Sequence, residues 1–347
     1  MLHRRIDGVP LAIVVAGVAL VAAMPLYFTQ PFPQHIVIMS MLFASLGIAW
    51  NILGGYAGQV SFGHSVYFGI GAYTAAWCYL KLGLTVWLAW PFALAIAAVV
   101  AIVIGAPTFR LRGHYFVLAT VFIAESIFII VTNWDAVGGA IGLEMPVLKS
   151  DDIATRLWHA QFATKLPYYY AMLGILVCAV AIAWRIERAP LGFYLRAIRE
   201  EQDAALSLGI DVGRQKLVAL LVSAAISVIC GMFYAQYVLY VEPVSTISIL
   251  ISLEIAFIAI LGGIGTLWGP VIGAFVVVPL TELLRSHFSG RLALDQSRLA
   301  SGDWMAWLDY YLAGGGGNVD LLFYGLLIML IARFQPRGVL GFFRKLD

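Results

Sequence analysis

Seven polar side chains sit inside long apolar runs of this sequence: Asn51, Gln59, Ser61, His64, Glu125, Glu254 and Glu282. A polar or ionisable group is costly at membrane depth. Such groups therefore face a bundle interior, pair between helices or line a solute path. Asn51, Gln59, Ser61, His64, Glu125 and Glu254 are the candidates for a translocation path. Nothing suggests bond-breaking chemistry. HExxH is absent, and the nearest approach to a serine elbow, Gly58-Gln59-Val60-Ser61-Phe62-Gly63, is one residue too long for G-x-S-x-G. No G-x-x-x-x-G-K-[ST] occurs, nor any Gly-Lys pair, so no P-loop is present to cradle nucleotide phosphates. Cys78, Cys178 and Cys230 lie in apolar stretches without CxxC or a nearby His, and read as small buried hydrophobes. No catalytic residue, metal site or bound cofactor is expected.

Two segments are rich in small residues. The first runs from Leu53-Gly54-Gly55-Tyr56-Ala57-Gly58 to His64. The second runs from Leu261-Gly262-Gly263-Ile264-Gly265 through Gly269-Pro270 to Gly273-Ala274. Both open on Leu-Gly-Gly and reach a Gly-Ala later, a hint of internal duplication of the kind transporters carry. Gly54 and Gly58, and Gly265, Gly269 and Gly273, have the four-residue spacing that lets helix backbones approach in lipid. The same glycines permit broken helices where backbone lines a cavity. Both readings stand: helix packing, or a discontinuous helix beside a solute path.

A third stretch, Arg185–Lys216, is polar and charged. Pro190 and Gly192 interrupt the preceding helix. The spacing predicts a short helix over Leu195–Leu208, stopped by Gly209. On it Arg196, Arg199, Glu200, Asp203 and Ser207 share one face, with Ile198, Ala205 and Leu208 roughly opposite. It reads as a solvated loop helix or as a docking helix for a cytoplasmic partner.

The elements that must position these residues follow from composition. Of 347 residues, 62% are hydrophobic and 12% charged, with a net charge of +2. Mean hydropathy is +0.92. Soluble domains run near ~45–50% apolar and ~25% charged. A soluble enzyme, a nucleic-acid binder and a disordered chain are excluded, and the solvent for most of the chain is lipid. A spanning helix needs ~20 apolar residues. Ten stretches qualify: Val9–Leu26, Ile36–Leu53, Phe62–Leu80, Val86–Ala106, Tyr115–Thr132, Tyr168–Trp184, Leu217–Val241, Ile249–Leu261, Val271–Leu284 and Val319–Ile331, the last three short. The first follows Arg4 and Arg5 as a signal peptide would, but it is long and has no clean cleavage site, so it reads as a retained helix.

The fold class is all-α, a single polytopic transmembrane domain over residues 1–347 with about ten spanning or re-entrant helices. Placing both termini inside puts twice as many Lys and Arg on inner as on outer segments, which sets the orientation as N-in, C-in. The outer loops are then residues 133–167 and 286–318, and 185–216 is cytoplasmic. Asp151 and Asp152 head a capped surface helix in the first loop. In the second, Trp304, Trp307, Leu308 and Tyr311 have the spacing of an interfacial helix, ending at the Gly314–Gly317 break.

Asp203-Ala204-Ala205-Leu206-Ser207-Leu208-Gly209 resembles the E-A-A-x-x-x-G coupling motif of ABC-importer permeases, with Asp for Glu and without the I-x-L-P ending. Together with Asn51–His64, Arg110-Leu111-Arg112-Gly113-His114-Tyr115-Phe116, Pro190-Leu191-Gly192, Arg196–Glu200 and Leu261–Ala274, the chain resembles the M-type (LivM-like) permease subunits of branched-chain amino acid ABC importers. The Ser286–Asn318 loop has no clear counterpart.

The resemblance implies one permease of a heterodimeric pair in the bacterial inner membrane. A periplasmic solute-binding protein would serve the pair, and two cytoplasmic ABC ATPase subunits would use ATP on its behalf. The solutes would be branched-chain amino acids or related urea, amides or aromatic acids. It places Arg196, Arg199, Glu200, Asp203, Ala204, Ala205 and Gly209 in the ATPase-coupling helix. The competing reading is an ion- or proton-coupled secondary transporter with Glu125, Glu254 and His64 as coupling groups. Sparse buried charge and the polar Arg185–Lys216 stretch count against it.

Overall fold

A computed structural model describes residues 11–27, 30–148 and 152–292. Within them the chain is almost entirely helical. The first half holds α1 (Leu11–Tyr27), α2 (Pro31–Asn51), α3 (His64–Leu82), α4 (Val86–Thr108) and α5 (His114–Thr132). A short α6 (Ile153–His159) precedes α7 (Lys165–Arg188), α8 (Pro190–Glu200) and α9 (Gln202–Ser207). The remainder is α10 (Val212–Val238), α11 (Pro243–Thr246), α12 (Ile249–Gly263) and α13 (Gly269–Leu292). Strands β1 (Leu143–Glu144) and β2 (Tyr240–Val241) form one antiparallel pair, Leu143 opposite Val241.

Nine of the ten apolar stretches coincide with helices, and the tenth lies outside the described residues. Six helical segments among the described residues are long and apolar enough to span a membrane: Pro31–Tyr56, Val86–Thr108, His114–Thr132, Lys165–Arg188, Val212–Val238 and Pro243–Gly263. Three others fall short of that description. α1 has 17 residues. The apolar part of α13 is Gly269–Leu283. α3 has 19 residues but is too polar, carrying His64, Ser65 and Thr74. It is surrounded by other helices and needs no lipid-compatible exterior.

α2 is the centre of the bundle, with 83% of its apolar window buried against α7, α10, α12 and α13. Its Ser40 and Ser45 hydroxyls are absorbed by the carbonyls of Ile36 (2.8 Å) and Met41 (2.9 Å), which removes their desolvation cost. α4 buries one narrow stripe, Ala89, Ala93, Ala97, Ala101 and Gly105, at strict four-residue spacing against α10 and α3. Its Trp87, Leu88, Trp90, Ile96 and Ile102 side chains are exposed on the opposite surface. α3 and α10 touch backbone to backbone. A Cβ on Gly71 would overlap the Val228 carbonyl, and one on Gly231 the Phe68 carbonyl.

The two ends of the bundle differ. At one end the aromatic rings of Tyr168, Phe233 and Tyr237 cluster, and His35 Nδ1 hydrogen-bonds the Tyr237 hydroxyl at 2.6 Å. The β1–β2 pair and α6 lie at this end, where Trp87 Nε1 donates to the Leu157 carbonyl (3.1 Å). The expected cap of α6 is Asp152, which accepts the N–H groups of Ala154 and Thr155 and the Thr155 hydroxyl. Those donors hold its carboxyl below the usual carboxylate range. The other end carries α8, α9 and both glycine-rich segments. Cys78 and Cys230 are buried as expected, whereas Cys178 on α7 is exposed. α13 continues to Leu292, so its last turns occupy the start of the expected second outer loop. Trp304, Trp307, Leu308, Tyr311 and Gly314–Gly317 lie outside the described residues.

Candidate functional site

The two glycine-rich segments meet. α2 runs into one π-helical turn, Ile52–Tyr56, and the chain is then non-helical until α3 starts at His64. Trp50 Nε1 donates to the Ser61 carbonyl (2.7 Å) and folds this linker back along the helix end. The second break is tighter. α12 stops at Gly263, Gly265 turns with φ +74°, and α13 starts at Gly269. The Thr266 hydroxyl donates to Gly263 O (2.7 Å) and accepts from Gly269 N (3.1 Å).

Asn51 stitches the breaks together. Its Oδ1 accepts the Gly265 N–H (2.8 Å), and its Nδ2 donates to the Thr266 carbonyl (2.9 Å). Gly55 leaves room for this. A Cβ there would overlap the Asn51 carboxamide and lie 2.7 Å from Gly265 N. Gly54 faces the Trp50 ring at similarly close range. Gly262, Gly269 and Gly273 do a different job. A Cβ on any of them would overlap a carbonyl of the neighbouring helix or turn, so they set the α12–α13 approach.

The expected single helix over Leu195–Leu208 is two helices. α8 ends at Glu200, Glu201 is extended (φ −155°, ψ 110°), and α9 begins at Gln202. The break arises because Glu201 acts as an N-cap, its carboxylate accepting the Asp203 N–H (3.4 Å). The continuous polar face is therefore lost, and most of its members engage this chain. Arg196 donates to the Glu187 carbonyl (3.0 Å) at the end of α7. Arg199 Nη1 donates to Gly55 O (2.8 Å). Asp203 receives both arms of Arg112, at 2.9 and 3.0 Å, from the α4–α5 turn. Glu200 is exposed.

Lys216, with no exposed surface, donates to Gln202 Oε1 (2.9 Å). No sequence signal marked Lys216 or Gln202. Ile198 and Ala205 are buried with Val212 in a small separate apolar cluster. Leu208, expected beside them, is instead 81% exposed. Ala204 and Leu206 on α9, and Leu208 at its C-terminal end, are thus exposed. Gly209 (φ +83°) closes the segment, and Asp211 caps α10 through the Arg214 N–H (3.0 Å).

The remaining polar candidates divide. His64 is fully buried at the start of α3, with Nε2 2.8 Å from the Ser223 hydroxyl, which itself donates to Ala49 O (2.6 Å). His64 Nδ1, Gln59 Oε1 and the Tyr56 hydroxyl are buried without a hydrogen-bond partner. Ser61 lines a cavity of about 20 Å³ with Gly63, Tyr67 and Thr120. That is room for about one water. Thr120 Oγ1 accepts the Phe62 N–H (3.2 Å), tying α5 to the linker. Of these, only Ser61 lines the cavity, His64 bonds Ser223, and Asn51 belongs to the junction. Glu125 is half-buried on α5, the span least covered by its own chain, with 17% of its window buried. Glu254 is half-buried on α12, two residues from Ser252, whose hydroxyl bonds Ser65 (2.8 Å). Sequence reasoning missed Ser65, Thr120, Ser223 and Ser252. A serine or threonine in an apolar run carries no periodic signal, and its partners lie far along the chain. Among the described residues no cluster of His, Cys, Asp and Glu could hold a metal.

A family profile described as the permease component of the branched-chain amino acid transport system matches residues 32–335. The high-affinity branched-chain amino acid transport system permease protein LivM of Escherichia coli is 29% identical over 289 residues, covering 77% of this chain and 68% of that protein. The LivM protein of Salmonella typhimurium is 28% identical over 268 residues, covering 72% and 63%. The autoinducer 2 import system permease protein LsrC of Klebsiella pneumoniae is 32% identical over 119 residues, covering 32% and 34%. The chain thus spans about two thirds of the length of the two LivM proteins. No solved structure matches.

Proposed function

Because the chain belongs to the branched-chain amino acid transport permease family, we propose that it is one permease subunit of an ATP-driven importer dependent on a binding protein. The solutes are branched-chain amino acids or related small molecules. It forms the solute path with a second permease in the bacterial inner membrane, with both termini inside. A periplasmic binding protein delivers solute, and two cytoplasmic ABC ATPase subunits hydrolyse ATP, which this chain itself does not.

The observation that carries this reading is the α8–α9 segment. It is a polar two-helix excursion between two spans, anchored to its own bundle by Arg112, Arg196, Arg199 and Lys216. It still presents Ala204, Leu206 and Leu208 outward. A plain loop would bury its leucines or omit them. Exposed apolar anchors on a rigid polar element are what a partner's groove takes up. The coupling function follows from linkage: ATPase subunits that grip this segment differently in two states bias the permease between those states.

The test is a mild-detergent pull-down of the tagged chain, with co-purifying proteins identified by mass spectrometry. P-loop ATPases and a second hydrophobic permease are expected. Leu206→Ser with Leu208→Ser should release the ATPases and spare the second permease. Recovery of a stable, monodisperse chain alone would favour a secondary carrier and make Glu125 and Glu254 the residues to mutate.

A further inference from the structure

Four side-chain ties hold α8 and α9 to the bundle, and three of them reach neither glycine-rich break. Arg196 reaches the end of α7, Arg112 comes from the α4–α5 turn, and Lys216 comes from α10. The fourth is different. Arg199 Nη1 bonds Gly55 O at 2.8 Å and also lies against Gly265, where a Cβ would overlap it. One guanidinium, partly exposed and 3.9 Å from the Glu200 carboxylate, thus bonds the carbonyl end of the π-turn after α2 and abuts the turn after α12. A helix C-terminus carries partial negative charge and unsatisfied carbonyls, so a cation bonded at such an end is well placed.

The surroundings are shaped for that side chain. A Cβ on Gly58 would stand 2.8 Å from Arg199 Cγ, and both Gly58 (φ +68°) and Gly265 (φ +74°) hold left-handed backbone. Asn51 fastens the same two segments to each other from the far side of Gly55. A π-turn is also a hydrogen-bond register that can revert to α-helix, and such turns concentrate at functional sites.

Building on the importer reading, we propose that Arg199 is the positioning residue that transmits movement of α8 to both glycine-rich breaks. When the ATPases displace α8 and α9, Arg199 carries the Gly55 carbonyl and the Gly265 turn with it. The ends of α2 and α12 then move as one unit. Arg199 is a transmission element here, and Leu206 and Leu208 are the docking contacts.

The experiment uses the complete complex, purified through this chain and reconstituted in lipid vesicles. It reads three quantities: co-purification of the ATPases, ATP hydrolysis with and without binding protein, and uptake of labelled leucine. Arg199→Gln should retain the ATPases and their hydrolysis while leucine taken up per ATP falls about tenfold, the worth of one charged hydrogen bond. Arg199→Lys should recover part of the loss. Arg188→Gln, which removes a nearby charge that rests on the Trp184 ring, should leave the ratio unchanged. Gly58→Ala keeps the arginine but displaces it, and should reproduce the Arg199→Gln defect; this variant serves if Arg199→Gln fails to fold. A wild-type uptake-to-ATP ratio in both variants would overturn the link. So would loss of the ATPases from Arg199→Gln, which would make Arg199 a docking contact. A wild-type complex without ATPases fails earlier and overturns the importer reading itself.

Discussion

The two glycine-rich breaks have nearly the same composition and do different work. At the second, between α12 and α13, Gly262, Gly269 and Gly273 face backbone, and Gly265 in the turn faces the Arg199 guanidinium. A Cβ on Gly262 would overlap the Gly269 carbonyl, and one on Gly273 the Ile258 carbonyl. These residues are spacers that let two helices touch. At the first, after α2, the glycines face side chains: Gly54 the Trp50 ring, Gly55 the Asn51 carboxamide, Gly58 the Arg199 stem. These residues make sockets. A spacer contact is backbone on backbone and cannot rearrange without moving a helix. A socket contact involves side chains that can change rotamer. The second break is thus the rigid partner of the pair, and the first is the adjustable one.

This contrast can be broken most sharply at Gly262. Gly262→Ala forces carbonyl overlap at a fully packed crossing, and overpacking of that kind costs about 1–3 kcal/mol, here at the upper end because the clash is with backbone. The expected result is loss of the monodisperse peak in detergent chromatography. A normal peak with an unchanged melting temperature would show that α12 and α13 can separate, and the distinction would fail.

Gly55→Ala should do less, because its methyl displaces a carboxamide and not a helix. Asn51→Ala should cost about 1–3 kcal/mol, since it abandons the Gly265 N–H and the Thr266 carbonyl in a buried junction. The pair gives a sharper measurement. Once Asn51 is Ala, the methyl at 55 has less to displace, so the double variant should melt above the sum of the single losses. Strict additivity would mean that Gly55 serves the backbone approach to Gly265 instead.

Two smaller effects complete the series. Acidification should loosen α6 before the bundle. The Asp152 carboxyl is held below its usual range by Thr155 and Ala154, so its contribution is present above the ordinary carboxylate range and is lost as pH falls through the lowered value. Hydrogen exchange of α6 amides at decreasing pH reads this. Arg112→Gln should be the mildest change. The Arg112–Asp203 pair is bidentate but 59% and 64% exposed, so water and salt already screen it. The melting temperature should barely move, and wild type in high salt should behave like the variant.

Much of this was legible along the chain. Among the described residues the apolar runs mark nine helices, because twenty-residue hydropathy is a local property. The Leu-Gly-Gly segments and the charged stretch before α10 were recognisable as the places where the pattern breaks. Their partnership was not. Asn51 looked like a path residue because a lone carboxamide in an apolar run has no local use, and its partner Gly265 is 214 residues away. Arg199 looked like a docking residue because helical spacing put it beside Arg196 and Asp203. The cap at Glu201 breaks that face, and the arginine, its side chain 41% exposed, also donates to a carbonyl 144 residues distant.

The amino-acid sequence by itself determined that this is a helical membrane protein, where its long helices lie, and which transport family it belongs to. The first two rest on residues within a helix length of one another, and the third on short motifs read in order along the chain. Only the tertiary structure decided that two breaks form one junction, that one set of glycines spaces helices while the other makes sockets, and that Arg199 on α8 touches both. Those outcomes depend on which helix ends arrive at the same place, and close packing across the whole bundle settles that.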